Sequence, residues 1–119
     1  MASIDQANDI PRLDEEKIHE LKDILGDEVR DIIDEFLRAV PNSFETIAAS
    51  VIPRDAEKIF VEAHTLKSSS GNIGLARFCR LCAILEEQAR NNQIIELEAQ
   101  LKLLNDELSA GVDALNSMM

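Results

Sequence analysis

Residues 97–115 read LEAQLKLLNDELSAGVDAL, with apolar side chains at Leu97, Leu101, Leu104, Leu108, Val112 and Leu115. Those intervals of four and three hold one stripe on one side of an α-helix, which turns about every 3.6 residues. Such a stripe is the seam of a helix packed lengthwise in a bundle, here over about residues 93–116. Asn91 and Asn92 mark the turn before it. The preceding helix, over about residues 75–90, turns Phe78, Cys79, Leu81, Cys82 and Leu85 inward. Gly71 to Gly74 form a turn, and the helix before that, about residues 55–70, carries Ile59, Ala63, Leu66 and Ser70 on its core side.

Further back, Asp27 caps a longer helix whose stripe is Val29, Ile32, Ile33, Phe36, Leu37 and Val40. Pro41 follows, and a helix-interior proline costs roughly 3 kcal/mol. Phe44, Ile47 and Val51 nevertheless resume the stripe in phase, so the chain bends at Pro41 without breaking, and Pro53 and Arg54 end the helix. A short first helix, residues 14–25, is capped by Asp14, opened by Glu15 and Glu16, lined by Ile18, Leu21, Ile24 and Leu25, and stopped by Gly26. Residues 1–12 are polar, contain Pro11, and read as a flexible arm. The expected architecture is all-α and one domain over residues 1–119. An up-down antiparallel four-helix bundle spans 27–116, and the additional short N-terminal helix packs across one end.

Composition agrees and narrows the function. The 119 residues are 45% hydrophobic, with no Trp or Tyr and four Phe, so the core is mainly aliphatic. Twelve basic against 23 acidic residues give a net charge of −11. That surface repels nucleic acid and anionic membranes, whose binding rests on Lys and Arg. No apolar run reaches spanning length and no basic-then-apolar leader opens the chain, so a cytoplasmic protein with reduced cysteines is expected.

On the helix wheel of residues 55–70, His64 lies more than about 90° from the core-facing centre and so faces solvent. Lys67 is its neighbour one turn on, and Ser68 and Gly71 continue the same face with small side chains. Imidazole has an ordinary pKa near about 6.5, so at neutral pH one ring nitrogen is a free nucleophile. A phosphoryl group on that nitrogen would sit beside Lys67, a contact contributing roughly 0–1 kcal/mol at an exposed site. The small residues leave room for a second protein to approach.

The stretch HTLKSSSGNIG over residues 64–74, continued by Phe78, Cys82 and Leu85-Glu86, resembles the signature of histidine-containing phosphotransfer (HPt) domains. The resemblance extends as helical pattern over about residues 27–115. It implies that His64 is the phosphoacceptor, Lys67 the phosphate-facing cation, and Glu86 a partner of the imidazole on the next helix. Ser68 stands where the family usually has Gly. The resemblance further implies a phosphorelay intermediate, receiving the phosphoryl group from a response-regulator receiver aspartate and passing it to another receiver. It implies a hybrid sensor kinase as the other kind of partner, with the chain either free-standing or the end of such a kinase. No cofactor is expected on this chain; Mg²⁺ belongs to the receiver. With no Walker loop or kinase Gly-rich loop, a carrier and not an enzyme is expected.

Other readings compete at several residues. His19 also has Lys22 and Gly26 at matching spacing, but Glu15, Glu16, Glu20 and Asp23 surround it and repel an anion. Cys79 and Cys82 are formally C-x-x-C, yet both fall on an inward stripe with no second pair, so packing is expected and no metal site. Phe60 and Val61 either pack at the bundle edge or form an apolar docking patch with Ser68 and Gly71. The seam of the last helix is too short for a sustained zipper, so a monomer is expected. A helical adaptor that binds receivers without being phosphorylated is the alternative function.

Overall fold

In a computed structural model, residues 7–50 and 55–119 are described. Among them the chain is all-helical. The helices are α1 (Glu15–Leu25), α2 (Glu28–Ala49), α3 (Ala56–Asn72), α4 (Ala76–Arg90) and α5 (Leu97–Met118). They form a helical bundle in which α2, α3, α4 and α5 pack in series, α5 returns to α2, and α1 packs on α2. The α3–α4 pair is the most intimate.

Two of the five helices start on a side-chain cap. Asp14 Oδ1 accepts from the Lys17 N–H and Asp55 Oδ1 from the Lys58 N–H, each at 3.1 Å. Asp27 makes no such bond. It already has helical dihedrals (φ −66°, ψ −19°), so its side chain does not reach forward as a cap must. Helix α2 runs through Pro41, whose ring is exposed. The stripe stays in phase across it: Val29, Ile33, Phe36, Val40 and Ile47 are all buried. Val51, Pro53 and Arg54, expected to finish this helix, lie outside the described residues.

The core is mainly aliphatic with an aromatic centre. Phe78 is fully buried, edge-on to Phe36 at 6.2 Å between ring centroids, and Phe44 lies 6.4 Å away with its ring tilted by 52°. The expected inward residues of α3 are all buried, and on α4 only Cys79 is half-exposed. Three stripes differ from expectation. Ile24, assigned to the apolar face of α1, is 78% exposed, because Ile18 alone of that helix is buried. Ile32 stands at the edge of the α2 stripe and is partly exposed. On α5 the buried face is Leu97, Gln100, Leu104, Glu107, Gly111 and Leu115, leaving Leu101, Leu108 and Val112 half-buried.

That shift is tolerated because each interrupting residue has a partner. Gln100 Nε2 donates to the Gln88 side-chain oxygen (2.7 Å) and to the Ile95 carbonyl (2.6 Å). Gly111 gives way to Leu75, whose Cδ2 would lie 3.1 Å from a Cβ there. Glu107 accepts a two-pronged contact from Arg12, at 2.8 and 3.2 Å, with Arg77 Nη1 3.8 Å away. Residues 7–12 are therefore not loose. Ala7 is buried, Arg77 donates to the Ile10 carbonyl (2.9 Å), and its N–H reaches the Arg12 carbonyl (3.3 Å). Of the arm expected over residues 1–12, this part is tied down by polarity of the right kind, and residues 1–6 lie outside the described residues.

The α3–α4 turn is built on Gly74. Its φ is +84°, and a Cβ there would meet Ile18 Cγ1 at 2.5 Å and the Asp14 carbonyl at 3.2 Å. Its own carbonyl accepts from the Asp14 N–H at 2.9 Å, so α1 is seated on this turn. Gly74→Ala is expected to cost about 2 kcal/mol from the left-handed backbone and the overpacking together. Gly26→Ala shares the positive φ (+57°) but faces open space, and is expected to cost about half as much. Urea midpoints of the two variants check this; equal losses would mean that Ile18 moves aside freely.

Candidate functional site

The surface of α3 carries the site and α4 supplies its floor. Ile59, Ala63, Leu66 and Ser70 turn into the core, which leaves His64 outward with a side chain 56% exposed. Glu86 follows Leu85 on the buried face of α4, and close helix packing brings it under α3. The closeness rests partly on Gly71: a Cβ there would lie 3.3 Å from Cys79 Sγ. Cys79 Sγ and Ser70 Oγ both point to the Lys67 carbonyl, at 3.3 and 3.2 Å, which ties α4 to α3 at this level.

The Glu86 side chain is only 5% exposed, and three groups converge on it. His64 Nδ1 lies 2.9 Å from Oε2. Lys67 Nζ lies 3.0 Å from each carboxylate oxygen. Arg90 Nη2 donates to Oε1 at 3.2 Å. Burial alone would push this carboxyl up, but the hydrogen bonds and charges of Lys67 and His64 outweigh it and hold the group below its ordinary value of 4.5. Glu86 is thus an anion at neutral pH, able only to accept hydrogen bonds. Nδ1 of His64 must then carry a hydrogen and donate it, leaving Nε2 as the unengaged ring nitrogen.

The lowered folded value carries a sign for stability. A depressed carboxyl contributes stability in full above about 4.5, and that contribution is lost as pH falls through the lower folded value. Glu86→Gln is therefore expected to be less stable than the parent at pH 7, with the gap narrowing as pH drops below 4.5. Thermal melts from pH 7 downward measure it; a gap independent of pH would show that the charge of Glu86 does not hold the site together.

The structure thus gathers four of the residues singled out in the sequence: His64, Lys67, Glu86 and Phe60. The Phe60 ring lies nearly parallel to the imidazole (17° between planes, centroids 6.1 Å apart). Val61 is 52% exposed and Ser68 is exposed, both on the outside of α3. Gly71 is half-buried and faces α4. Sequence reading missed Arg90, whose guanidinium carbon sits 5.4 Å above the Phe60 ring while it bonds Glu86. The signal was present as an acid and a base four apart on one helix. His19 is exposed on α1, apart from this cluster. Cys79 and Cys82 are free thiols, both pushed up chiefly by burial. Among the described residues no three His, Cys, Asp or Glu side chains are grouped to hold a metal, and no helix is long and apolar enough to cross a membrane.

A helical bundle that exposes one imidazole and pins one of its nitrogens on a buried carboxylate defines a class, and the sequence model of that class fits. The chain belongs to the Hpt domain family, whose model matches residues 31–116. The crystal structure of histidine-containing phosphotransfer protein B (HptB) from Pseudomonas aeruginosa PAO1 has the same fold. It superposes with a TM-score of 0.82 at 23% identity, over 91% of this chain and 94% of that one. No curated protein sequence matches the chain significantly.

Proposed function

We propose that this protein is a phosphorelay intermediate. It accepts a phosphoryl group on His64 from the aspartate of a response-regulator receiver domain and passes it to another receiver. The observation that carries this is the 2.9 Å contact of Nδ1 with buried Glu86 on a ring that is 56% exposed. One nitrogen is held and the other is free. In the transfer, the Nε2 lone pair forms the N–P bond as the aspartyl O–P bond breaks, and the carboxylate leaves with the electron pair. Nδ1 keeps its hydrogen, so the ring becomes cationic beside the Glu86 anion. Lys67 turns its ammonium to the phosphoryl oxygens and tunes the lifetime of the product.

Hpt proteins are phosphocarriers and not kinases, and the division of labour fits that class. The receiver, or a hybrid sensor kinase bearing one, supplies Mg²⁺ and the acidic pocket. This chain needs no cofactor of its own and supplies a positioned nucleophile. In the docking surface, Val61 and Ser68 present the exposed outer face of α3. Phe60 is engaged by His64 and Arg90, and Gly71 by α4, so both shape that surface from behind. We read the bundle as up-down and antiparallel from α2 to α5, with α1 across one end, monomeric and cytoplasmic. Incubation with phosphorylated receivers tests the proposal. Acid-labile, base-stable label on the chain is expected, whereas receiver binding with no label would make it an adaptor.

A further inference from the structure

Resting on the phosphocarrier reading, we infer that Arg90 is the standing counter-ion of Glu86, the residue that releases Lys67 to the phosphoryl group. In the unphosphorylated chain Lys67 is not free. Its Nζ lies 3.0 Å from both oxygens of Glu86. To meet a phosphoryl group on Nε2, it has to leave a carboxylate that is 5% exposed, and stripping the partner from a buried anion is costly. Arg90 removes that obstacle. It already bonds Oε1 at 3.2 Å, from four residues on along the same helix, so it stays when Lys67 turns away.

Arg90 is also built to stay. Its guanidinium rests 5.4 Å over the Phe60 ring, a cation–π seat, while the same ring stacks on His64. The planar fork suits a carboxylate and an aromatic face together, whereas an ammonium on a flexible stem suits movement from one anion to another. The two cations on Glu86 thus have different duties. Lys67, three residues on from His64 along the same helix, is the mobile one. Arg90 positions the site through Glu86 and does not touch the reacting atoms.

The consequence is specific to the phosphorylated state. Without Arg90, Glu86 retains Lys67, and phospho-His64 behaves as though Lys67 were missing. The test follows hydrolysis of phospho-His64 after loading with phosphoramidate, in the parent and in Arg90→Gln, Arg90→Lys, Lys67→Gln and the Arg90→Gln/Lys67→Gln pair. Arg90→Gln and Lys67→Gln are each expected to change the phosphohistidine lifetime in the same direction, by about threefold, the scale of one partly exposed charge contact. The pair should change it no further than Lys67→Gln alone, because Arg90 acts through Lys67. Arg90→Lys keeps the charge but loses the planar fork, so it should restore the parent's lifetime only in part. Independent, multiplying effects in the pair, or a parent-like lifetime in Arg90→Gln, would overturn the inference and leave the carrier reading intact. A parent chain that takes no label on His64 would sink both.

Discussion

His64→Gln protein is expected to take up no phosphohistidine, from a phosphorylated receiver or from phosphoramidate, while His19→Gln labels at the parent's rate. The chain has two histidines, so the comparison is complete. Both are exposed, which makes exposure an insufficient criterion. What separates them is the environment. His64 has a buried carboxylate 2.9 Å from Nδ1, which fixes the tautomer, and two cations that balance that carboxylate. His19 lies among Glu15, Glu16, Glu20 and Asp23, all exposed, whose charges oppose a phosphoryl dianion. Because His64 is exposed, its substitution should leave the fold standing, with helical dichroism as the check. Label on the His64→Gln chain at the parent's rate would overturn the assignment.

Helices that bury one continuous apolar stripe were the easiest to read. On α3 the four inward residues, and therefore the outward direction of His64, follow from periodicity alone. Periodicity failed where polar groups do the packing. The seam of α5 looked like a leucine stripe, yet Gln100 and Glu107 are buried while Leu101, Leu108 and Val112 are only half-buried. Their partners Gln88, Arg12 and Arg77 come from distant segments, which no local window can see. The same contacts tie down residues 7–12, whose polarity reads as solvation when taken alone. Helix boundaries moved for local reasons. Gly71 and Asn72 extend α3 because the turn is made at Ile73 and Gly74, and φ becomes positive only at Gly74.

The site divides along the same line. Lys67 is legible because it is one turn from His64 on the same helix, whereas Glu86 is 22 residues away and rested on the resemblance alone. Arg90 needed the fold: an exposed base four residues after an acid is ordinary until the acid proves to be buried. Gly71 shows the converse. Its smallness reads as clearance for a partner on the outer face, but in the fold it is clearance for Cys79 of α4.

Removing Gly71 from the open face leaves Ser68 as the small residue one turn beyond the imidazole, and the weight of docking falls on it. Ser68 is exposed and four residues after His64 on the same face of α3, so under the proposed function its side chain borders the approach of a receiver to the imidazole. A longer side chain there would hold the two reacting centres apart, and a displacement of about 1 Å costs on the order of a hundredfold in such a transfer. Phosphoramidate is small enough to pass. Ser68→Gln is therefore expected to slow transfer from a phosphorylated receiver about a hundredfold while phosphoramidate still labels His64 nearly as in the parent. Ser68→Gly should be at least as active as the parent with the receiver, since it clears the same path further. Equal losses with both donors would mean that Ser68 acts on the histidine itself. Unimpaired transfer from the receiver would place the docking face on another side of α3, toward Val61 and away from Ser68.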